Sequence, residues 1–278
     1  MPELPEVQTV VDNLNSLGIV GRCFTGAEVR WPKTVDGLSP GDFIQNIRGC
    51  TIRRILRRGK YIVMHLSQGK TLLIHLRMTG RLNWEPAAKA HNKHEHVILR
   101  VEGKGELRFQ DTRKFGRITM TSSPETVLGK LGPEPLTRAF TADRFHRMLH
   151  SRSCAVKPLL LDQKFIAGLG NIYVDESLWK AGIHPLRLSS SLSETEVGRL
   201  HRAVRHVLKK GLRNLGTTLG SGEGNFYSVA GRRGRNADEL YVFRRTGRDC
   251  PRCGMRIERI IVAQRSSHIC PECQRQST

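Results

Sequence analysis

Two groups of residues carry chemistry on their own terms. The first is Met1-Pro2-Glu3-Leu4-Pro5-Glu6-Val7, at the start of the chain. If Met1 is removed, as is usual before a small second residue, the chain begins with a proline whose nitrogen is a free secondary amine beside a carboxylate. An α-amino group titrates near pH ~8, well below lysine at ~10.4, so an appreciable fraction is nucleophilic at neutral pH. Attack of a secondary amine on an aldehydic carbon gives a permanently cationic iminium, which is an electron sink. The alternative is that Pro2 and Pro5 only stiffen an exposed terminus ahead of a helix. The second group is Cys250-x2-Cys253, sixteen residues, then Cys270-x2-Cys273. Each C-x2-C knuckle offers two thiolates from one turn, and two knuckles complete the tetrahedral shell that zinc prefers. With four thiolates and no open position, such a metal is structural. A pair of disulfides is the alternative reading of the spacing.

Weaker signals accompany these. Gly168-Leu169-Gly170-Asn171 lies between two helical segments, where backbone N–H groups beside a helix N-terminus favour a phosphate; a packing turn between helices explains it equally well. Lys60 follows Arg57, Arg58 and Gly59 at the start of a regular strand, as a basic edge would. Between the cysteine knuckles, 256–263 and 267–269 read as a hairpin with Gln264-Arg265-Ser266 at its tip. A zinc-clamped hairpin presenting an arginine can clamp a nucleic-acid backbone, although Arg265 alone is equally an ordinary exposed arginine.

The chain has 278 residues, with 46 Lys+Arg against 25 Asp+Glu and a formal net charge of +21. Such an excess suits a polyanion, and nucleic acid is the commonest. No apolar run approaches the ~18 residues that span a bilayer, and the basic residues are dispersed, which argues against a membrane partner. No basic region followed by an apolar run opens the chain, so a cytoplasmic protein is expected. Of seven cysteines, Cys23, Cys50 and Cys154 are scattered, as free thiols in a reducing compartment would be.

The elements that position these residues fall into two regimes. Val7, Val10, Val11, Leu14 and Leu17 have helical spacing, and Gly18 stops the run, so the reactive terminus is mounted on a helix. Short segments of strand character follow at 51–56, 61–66, 71–76, 96–101, 106–109 and 117–121, with no convincing helix between them. Their spacing predicts an antiparallel sandwich or barrel. Beyond Gly132-Pro133-Glu134-Pro135, read as a stiff linker, the period becomes helical. Thr141-Ala142-Asp143 caps a helix through His150, and 172–181 forms a second helix ending at Gly182. A third begins at the capping box Ser193-x-x-Glu196 and ends at Gly216, with Val197, Leu200, Val204, Val207, Leu208 and Leu215 inward. Its basic residues, Arg199 to Arg213, are more simply a solvated face than a contact. The stretch 220–238 is rich in Gly, Arg and Asn and poor in core residues, and reads as a mobile loop.

MPELPEV resembles the opening of the bacterial formamidopyrimidine-DNA glycosylases, a superfamily they share with the endonuclease VIII-like enzymes. The resemblance spans the chain, because later motifs recur in order: Arg58-Gly59-Lys60-Tyr61, His75-Leu76-Arg77-Met78-Thr79-Gly80, Lys93-His94-Glu95-His96, Asp111-Thr112-Arg113-Lys114-Phe115-Gly116, Gly168 to Tyr173, and the four cysteines. It implies an α+β, multi-domain protein. An N-terminal antiparallel β-sandwich domain with its helix (1–131) and a linker (132–140) precede a helical helix-two-turn-helix domain (141–238) and a zinc-ribbon finger (239–278), with DNA held in a cleft.

The resemblance also implies the activity: excision of 8-oxoguanine and formamidopyrimidines through a Pro2 Schiff base, then β,δ-elimination. Glu3 would handle protons at the sugar and Lys60 would donate a proton and position substrate. Arg265 would contact phosphate, linked to the last elimination step. His94 and Arg113 match residues that grip the backbone, and Met78, Arg113 and Phe115 match those filling the space left by the extruded base. In isolation Met78 and Phe115 would read as core. Asn171 and Lys157 match phosphate contacts, and Ser153 stands where the family often has a basic residue. One structural zinc is the only cofactor implied, damaged double-stranded DNA the partner, and a monomer associated with the bacterial nucleoid the expected form. Two alternatives are an endonuclease VIII-like enzyme for oxidised pyrimidines, against which Leu4-Pro5 stands where Gly-Pro is usual, and a non-catalytic zinc-ribbon DNA-binding protein.

Overall fold

The structure is a computed structural model that describes residues 1–103, 105–220, 225–229 and 231–276. They form two compact units, Met1–Lys130 with Asn214–Ala237, and Leu131–Arg213 with Asp238–Thr278.

In the first unit the apolar spacing gives helix α1, Leu4–Ser16, which buries Leu4, Val7, Val10, Val11 and Leu14. Pro5 falls in its first turn, where a missing N–H leaves no bond unmade. Among the described residues nine strands follow: β1 (Phe24–Val29), β2 (Val35–Asp36), β3 (Ile52–Arg58), β4 (Tyr61–Leu66), β5 (Thr71–His75), β6 (Arg81–Glu85), β7 (Glu95–Val101), β8 (Gly105–Gln110) and β9 (Arg117–Thr121). They make a four-stranded sheet, β1-β7-β8-β6, and a five-stranded sheet, β2-β9-β5-β4-β3. Pairing is antiparallel except that β2 meets β9 in parallel over two residues. One apolar core runs through α1 and the inner faces of both sheets. Of the two architectures that the strand spacing predicts, sandwich or barrel, the two sheets form the sandwich.

Helix α2, Pro40–Ile47, was not visible in the periodicity. At two turns it shows only Phe43 and Ile47 inward, too little to establish a helical repeat, and its signal is instead the Ser39 cap, whose Oγ accepts from Asp42 N at 3.1 Å. Strands β1 and β6 were missed for a related reason. Gly26 interrupts one, and the other, Arg81-Leu82-Asn83-Trp84-Glu85, exposes most of its side chains partly. A last short helix, α3 (Glu125–Leu128), ends the first run.

In the second unit α4 (Ala142–His150) is capped by Thr141, whose Oγ1 accepts from Arg144 N at 3.2 Å. Then come α5 (Val156–Leu161), which the sequence did not reveal, α6 (Asn171–Ala181), closed by Gly182 at φ +70°, and α7 (Glu194–Arg213). Ser193 and Glu196 form the expected capping box, 2.8 and 3.3 Å. Strands β10 (Glu258–Val262) and β11 (Arg265–Ile269) form the hairpin between the cysteine knuckles. Among the described residues no helix is long and apolar enough to cross a membrane.

Three boundary readings are corrected. Helix α7 stops at Arg213, three residues short of Gly216, because Leu215 is left-handed (φ +58°) and 38% exposed rather than inward. Residues 132–140 are not a bare linker, since Arg205 Nη1 donates to Pro135 O and Thr137 O at 2.8 and 2.9 Å and Ala167 N to Pro133 O at 3.1 Å. The segment Asn214–Ala237 joins the first unit rather than the helical one. There Val229 is in the core, Phe226 packs against it, and Thr217 N is bonded to Glu6. The reading of 220–238 as core-poor is thus wrong for its described part; 221–224 and 230 lie outside the described residues.

Candidate active site

Pro2 and Glu3 are buried rather than trailing, so the reading of a merely exposed terminus falls. Glu3 is the N-cap of α1 and makes a reciprocal capping box with Glu6, whose Oε2 accepts from Glu3 N at 2.8 Å. Carboxylates here also answer the positive end of the helix dipole. The other oxygen of Glu6 accepts from Thr217 N at 2.7 Å. Close passage at this point explains Gly216, where an added Cβ would lie 2.9 Å from Glu6 Cγ and where φ is +83°.

Lys60 occupies the two-residue turn between β3 and β4, beside Gly59 at φ +55°, and is 5% exposed. Arg57 ties this turn to α1, donating from Nε to Gln8 Oε1 at 2.9 Å and from Nη1 to Gly59 O at 3.0 Å. His75 pairs with Tyr61 across β4 and β5, and its Nδ1 accepts from Arg77 N at 3.0 Å. Burial, with the positive charges of Arg77 and Lys60 adding to it, pushes the His75 imidazolium pKa down to about 3. The ring is neutral at pH 7.

Met78 and Phe115 are 41% and 47% exposed, which excludes the core reading for both. Arg113 is exposed with its guanidinium carbon 4.9 Å from the centroid of the Phe115 ring. The loops carrying them share one organiser that sequence reasoning passed over. Asp111, fully buried, accepts from the Thr79 hydroxyl, from Arg113 N at 3.1 Å and from Gly116 N at 2.7 Å. Its own N–H donates to His94 O at 2.9 Å, so the partly exposed His94 belongs to the same set. A single carboxylate thus holds the residues flanking Met78, Arg113 and Phe115.

In the second unit a cleft of about 450 Å³ is bordered by Asn171, Arg244, Arg259, Arg265 and His268. Asn171 opens α6, and its Nδ2 donates to Ser266 O at 2.9 Å. Arg265 is exposed at the first residue of β11, just past the turn residues Ala263 and Gln264 at φ +47° and +61°. Ser153 is exposed. Lys157 differs from an open phosphate contact: it is fully buried, with Nζ 2.5 Å from Asp175 Oδ1 and 3.0 Å from Ser266 O.

The four knuckle sulfurs lie within 4.8 Å of one another. Separations of 3.4, 3.5 and 3.9 Å suit a tetrahedron about zinc, whose ~2.3 Å bonds to sulfur give an edge near 3.8 Å. None is a disulfide, so that alternative is discarded. Trp179 Nε1 donates to Cys250 Sγ at 3.4 Å and Gln274 Oε1 accepts from Cys270 N at 3.0 Å, a shell of the kind that orients metal ligands. The finger is a structural zinc site.

The family model for the formamidopyrimidine-DNA glycosylase N-terminal domain matches residues 1–118, that for the formamidopyrimidine-DNA glycosylase H2TH domain matches 131–222, and that for the zinc finger found in FPG and IleRS matches 249–276. The formamidopyrimidine-DNA glycosylase of Protochlamydia amoebophila is 45% identical over 275 residues, covering 99% of this chain and all of the relative. That of Herpetosiphon aurantiacus is 44% identical with the same coverage. Among solved structures, Lactococcus lactis Fpg complexed with DNA containing an abasic site superposes with a TM-score of 0.90 at 35% identity, over 99% of this chain and 100% of that one. The MutM (Fpg) protein of Thermus thermophilus gives 0.89 at 37% identity, with both chains fully covered. On sequence, fold and motif order together, this chain belongs to the formamidopyrimidine-DNA glycosylase family.

Proposed function

We propose that this protein is a bifunctional DNA glycosylase and AP lyase of base excision repair that removes oxidised purines, 8-oxoguanine and formamidopyrimidines, and nicks the strand by β,δ-elimination. The observation that carries the reading is a Pro2-Glu3 terminus built into a buried helix cap, in a family whose solved Lactococcus lactis member is complexed with DNA containing Fapy-dG.

Once Met1 is removed, the Pro2 nitrogen attacks C1′ of the damaged nucleotide. The glycosidic bond breaks with its electron pair going to the base, which takes up a proton. Proline loses its N–H proton and the C1′–O4′ bond opens with protonation of O4′, leaving the iminium. Glu3 handles the proton at O4′, and Lys60 donates to and positions the substrate. Loss of a C2′ proton expels the 3′ phosphate as the C3′–O bond breaks; loss of the C4′ proton then expels the 5′ phosphate as the C5′–O bond breaks. Arg265 and Asn171 contact the phosphates, with Arg265 serving the last elimination, and Ser153 lies on the same strand path. His94 and Arg113 grip the backbone, while Met78, Arg113 and Phe115 fill the space of the extruded base. Zinc held by Cys250, Cys253, Cys270 and Cys273 supplies structure to the finger and no step of the reaction. The protein acts as a monomer on nucleoid DNA in the bacterial cytoplasm.

The test is borohydride trapping on a duplex with one 8-oxoguanine opposite cytosine, with peptide mapping of the adduct. A reduced adduct on Pro2 is expected. An adduct only with an oxidised pyrimidine moves the protein to the endonuclease VIII-like branch, and no adduct with either leaves a DNA-binding protein without this chemistry.

A further inference from the structure

Arg265 stands at the far end of a two-stranded hairpin, and such a hairpin does not hold its own stance in water. Its base is fixed, because β11 runs directly into the zinc ligand Cys270. Its tip is five residues away, about 17 Å at ~3.4 Å per residue, beyond the direct reach of the metal. Something else has to fix the tip if Arg265 is to meet a phosphate repeatedly in one place.

The buried carboxylate of Asp175 on α6 does this. Its Oδ1 takes the Lys157 ammonium from α5 at 2.5 Å, and its Oδ2 accepts His268 N at 3.0 Å and faces His268 Nδ1 at 3.1 Å. Lys157 then reaches across to Ser266 O at 3.0 Å, and Asn171 Nδ2 donates to the same oxygen at 2.9 Å. Asp175 and Lys157 are 2% and 0% exposed. A buried pair of this kind is costly to assemble and often replaceable by apolar residues without loss of stability, so its presence needs a reason other than stability. Here its hydrogen bonds converge on the backbone of Ser266 and His268, directly after Arg265, and join two helices to one strand.

We infer that Asp175 is a positioning residue for Arg265: it orients Lys157, which with Asn171 fixes the Ser266 carbonyl and thereby the hairpin tip. Lys157 acts through that carbonyl rather than by touching a phosphate. This rests on the lyase reading above, and the experiment separates the two. Four proteins are compared with wild type: Asp175→Asn, the apolar pair Lys157→Met with Asp175→Leu, Arg265→Ala, and Arg265→Ala combined with Asp175→Asn. The apolar pair serves where Asp175→Asn, by taking the carboxylate charge from beside the buried Lys157 ammonium, fails to fold. Zinc content is measured on each. Amide exchange at 264–268 reads the tip without any catalysis, and the ratio of δ- to β-elimination product reads Arg265.

Expected are faster exchange at 264–268 and a loss of δ-elimination on the order of tenfold or more in Asp175→Asn and in the apolar pair, with zinc retained. No further loss is expected when Asp175→Asn is added to Arg265→Ala. Unchanged exchange, a wild-type elimination ratio in the apolar pair, or additive losses in the combined variant would each overturn the assignment. Absence of a trapped adduct in wild type would sink the lyase reading and leave the exchange result to decide this one.

Discussion

Glu6 Oε1 accepts the backbone N–H of Thr217 at 2.7 Å, across 211 positions of sequence. The carboxylate that completes the cap beside Pro2 and Glu3 is therefore the same group that fastens the segment after α7 to the sandwich. Glu6→Ala removes a cap worth ~1 kcal/mol and strands a buried N–H at a further ~1–3 kcal/mol. The expected destabilisation of the first unit is about 2–4 kcal/mol, read from the urea midpoint, together with reduced trapping at Pro2. A variant with wild-type stability would show that the two bonds are dispensable.

Acid should weaken the first unit through His75. Its folded pKa lies at about 3, below the ordinary ~6.5, so the unfolded chain binds the proton first. The stability contributed by the neutral ring is complete above pH ~6.5 and is lost as pH falls through the window down to about 3, at up to ~1.4 kcal/mol per pH unit. Urea unfolding between pH 4 and 7 checks this. In His75→Asn the acid slope should flatten, and an unchanged slope would assign it to other groups.

Asp111→Ala should act on base extrusion more than on the terminus. It strands the buried Gly116 N and the part-buried Arg113 N and Thr79 hydroxyl, a loss of about 2–4 kcal/mol for donors left unmatched. On the proposed roles of Met78, Arg113 and Phe115, single-turnover excision of 8-oxoguanine should fall by more than strand cleavage at a preformed abasic site, because only the first would need their loops to replace a stacked base. Equal losses in the two assays would place Asp111 in general stability.

Zinc removal should unfold the finger, since the free energy of binding a structural zinc, on the order of 10 kcal/mol, is also folding free energy. A chelator is expected to abolish duplex binding while the sheet signal of the first unit persists in circular dichroism. In the metal-loaded protein, duplex affinity should fall steeply with salt, and Arg265→Ala should reduce the magnitude of the log–log slope by about one. A slope identical to wild type would remove Arg265 from the phosphate contacts.

What the sequence disclosed follows from range. Strands β4 and β9 and helix α6 announce themselves through local spacing and turn residues, and the cysteine knuckles through ligand chemistry. Asp111 opens the Asp111-Thr112-Arg113-Lys114-Phe115-Gly116 motif, but its role depends on Thr79, thirty-two positions earlier, and no period reports such a contact. Asp175 was hidden in the same way, because a buried acid on α6 reads as an ordinary helix residue until α5 and β11 are seen to meet it. Helix α5 was lost because Val156-Lys157-Pro158-Leu159-Leu160-Leu161 puts a lysine and a proline in a run too short to show a face. The Asn214–Ala237 segment misled by composition: its glycines and arginines look solvated, while Val229 and Thr217 carry its attachment.

The return of Asn214–Ala237 to the first unit has a consequence for biosynthesis. A nascent chain holding only the first 130 residues has the sandwich strands but neither Val229 for its core nor the Thr217 amide for Glu6. The helical segment must leave the ribosome before those partners arrive, so closure of the unit bearing Pro2 waits on residues made long after it. Pro2 and Glu3 are thus made long before the residues that complete their surroundings, and premature termination anywhere before residue 214 yields a sandwich without its keystone.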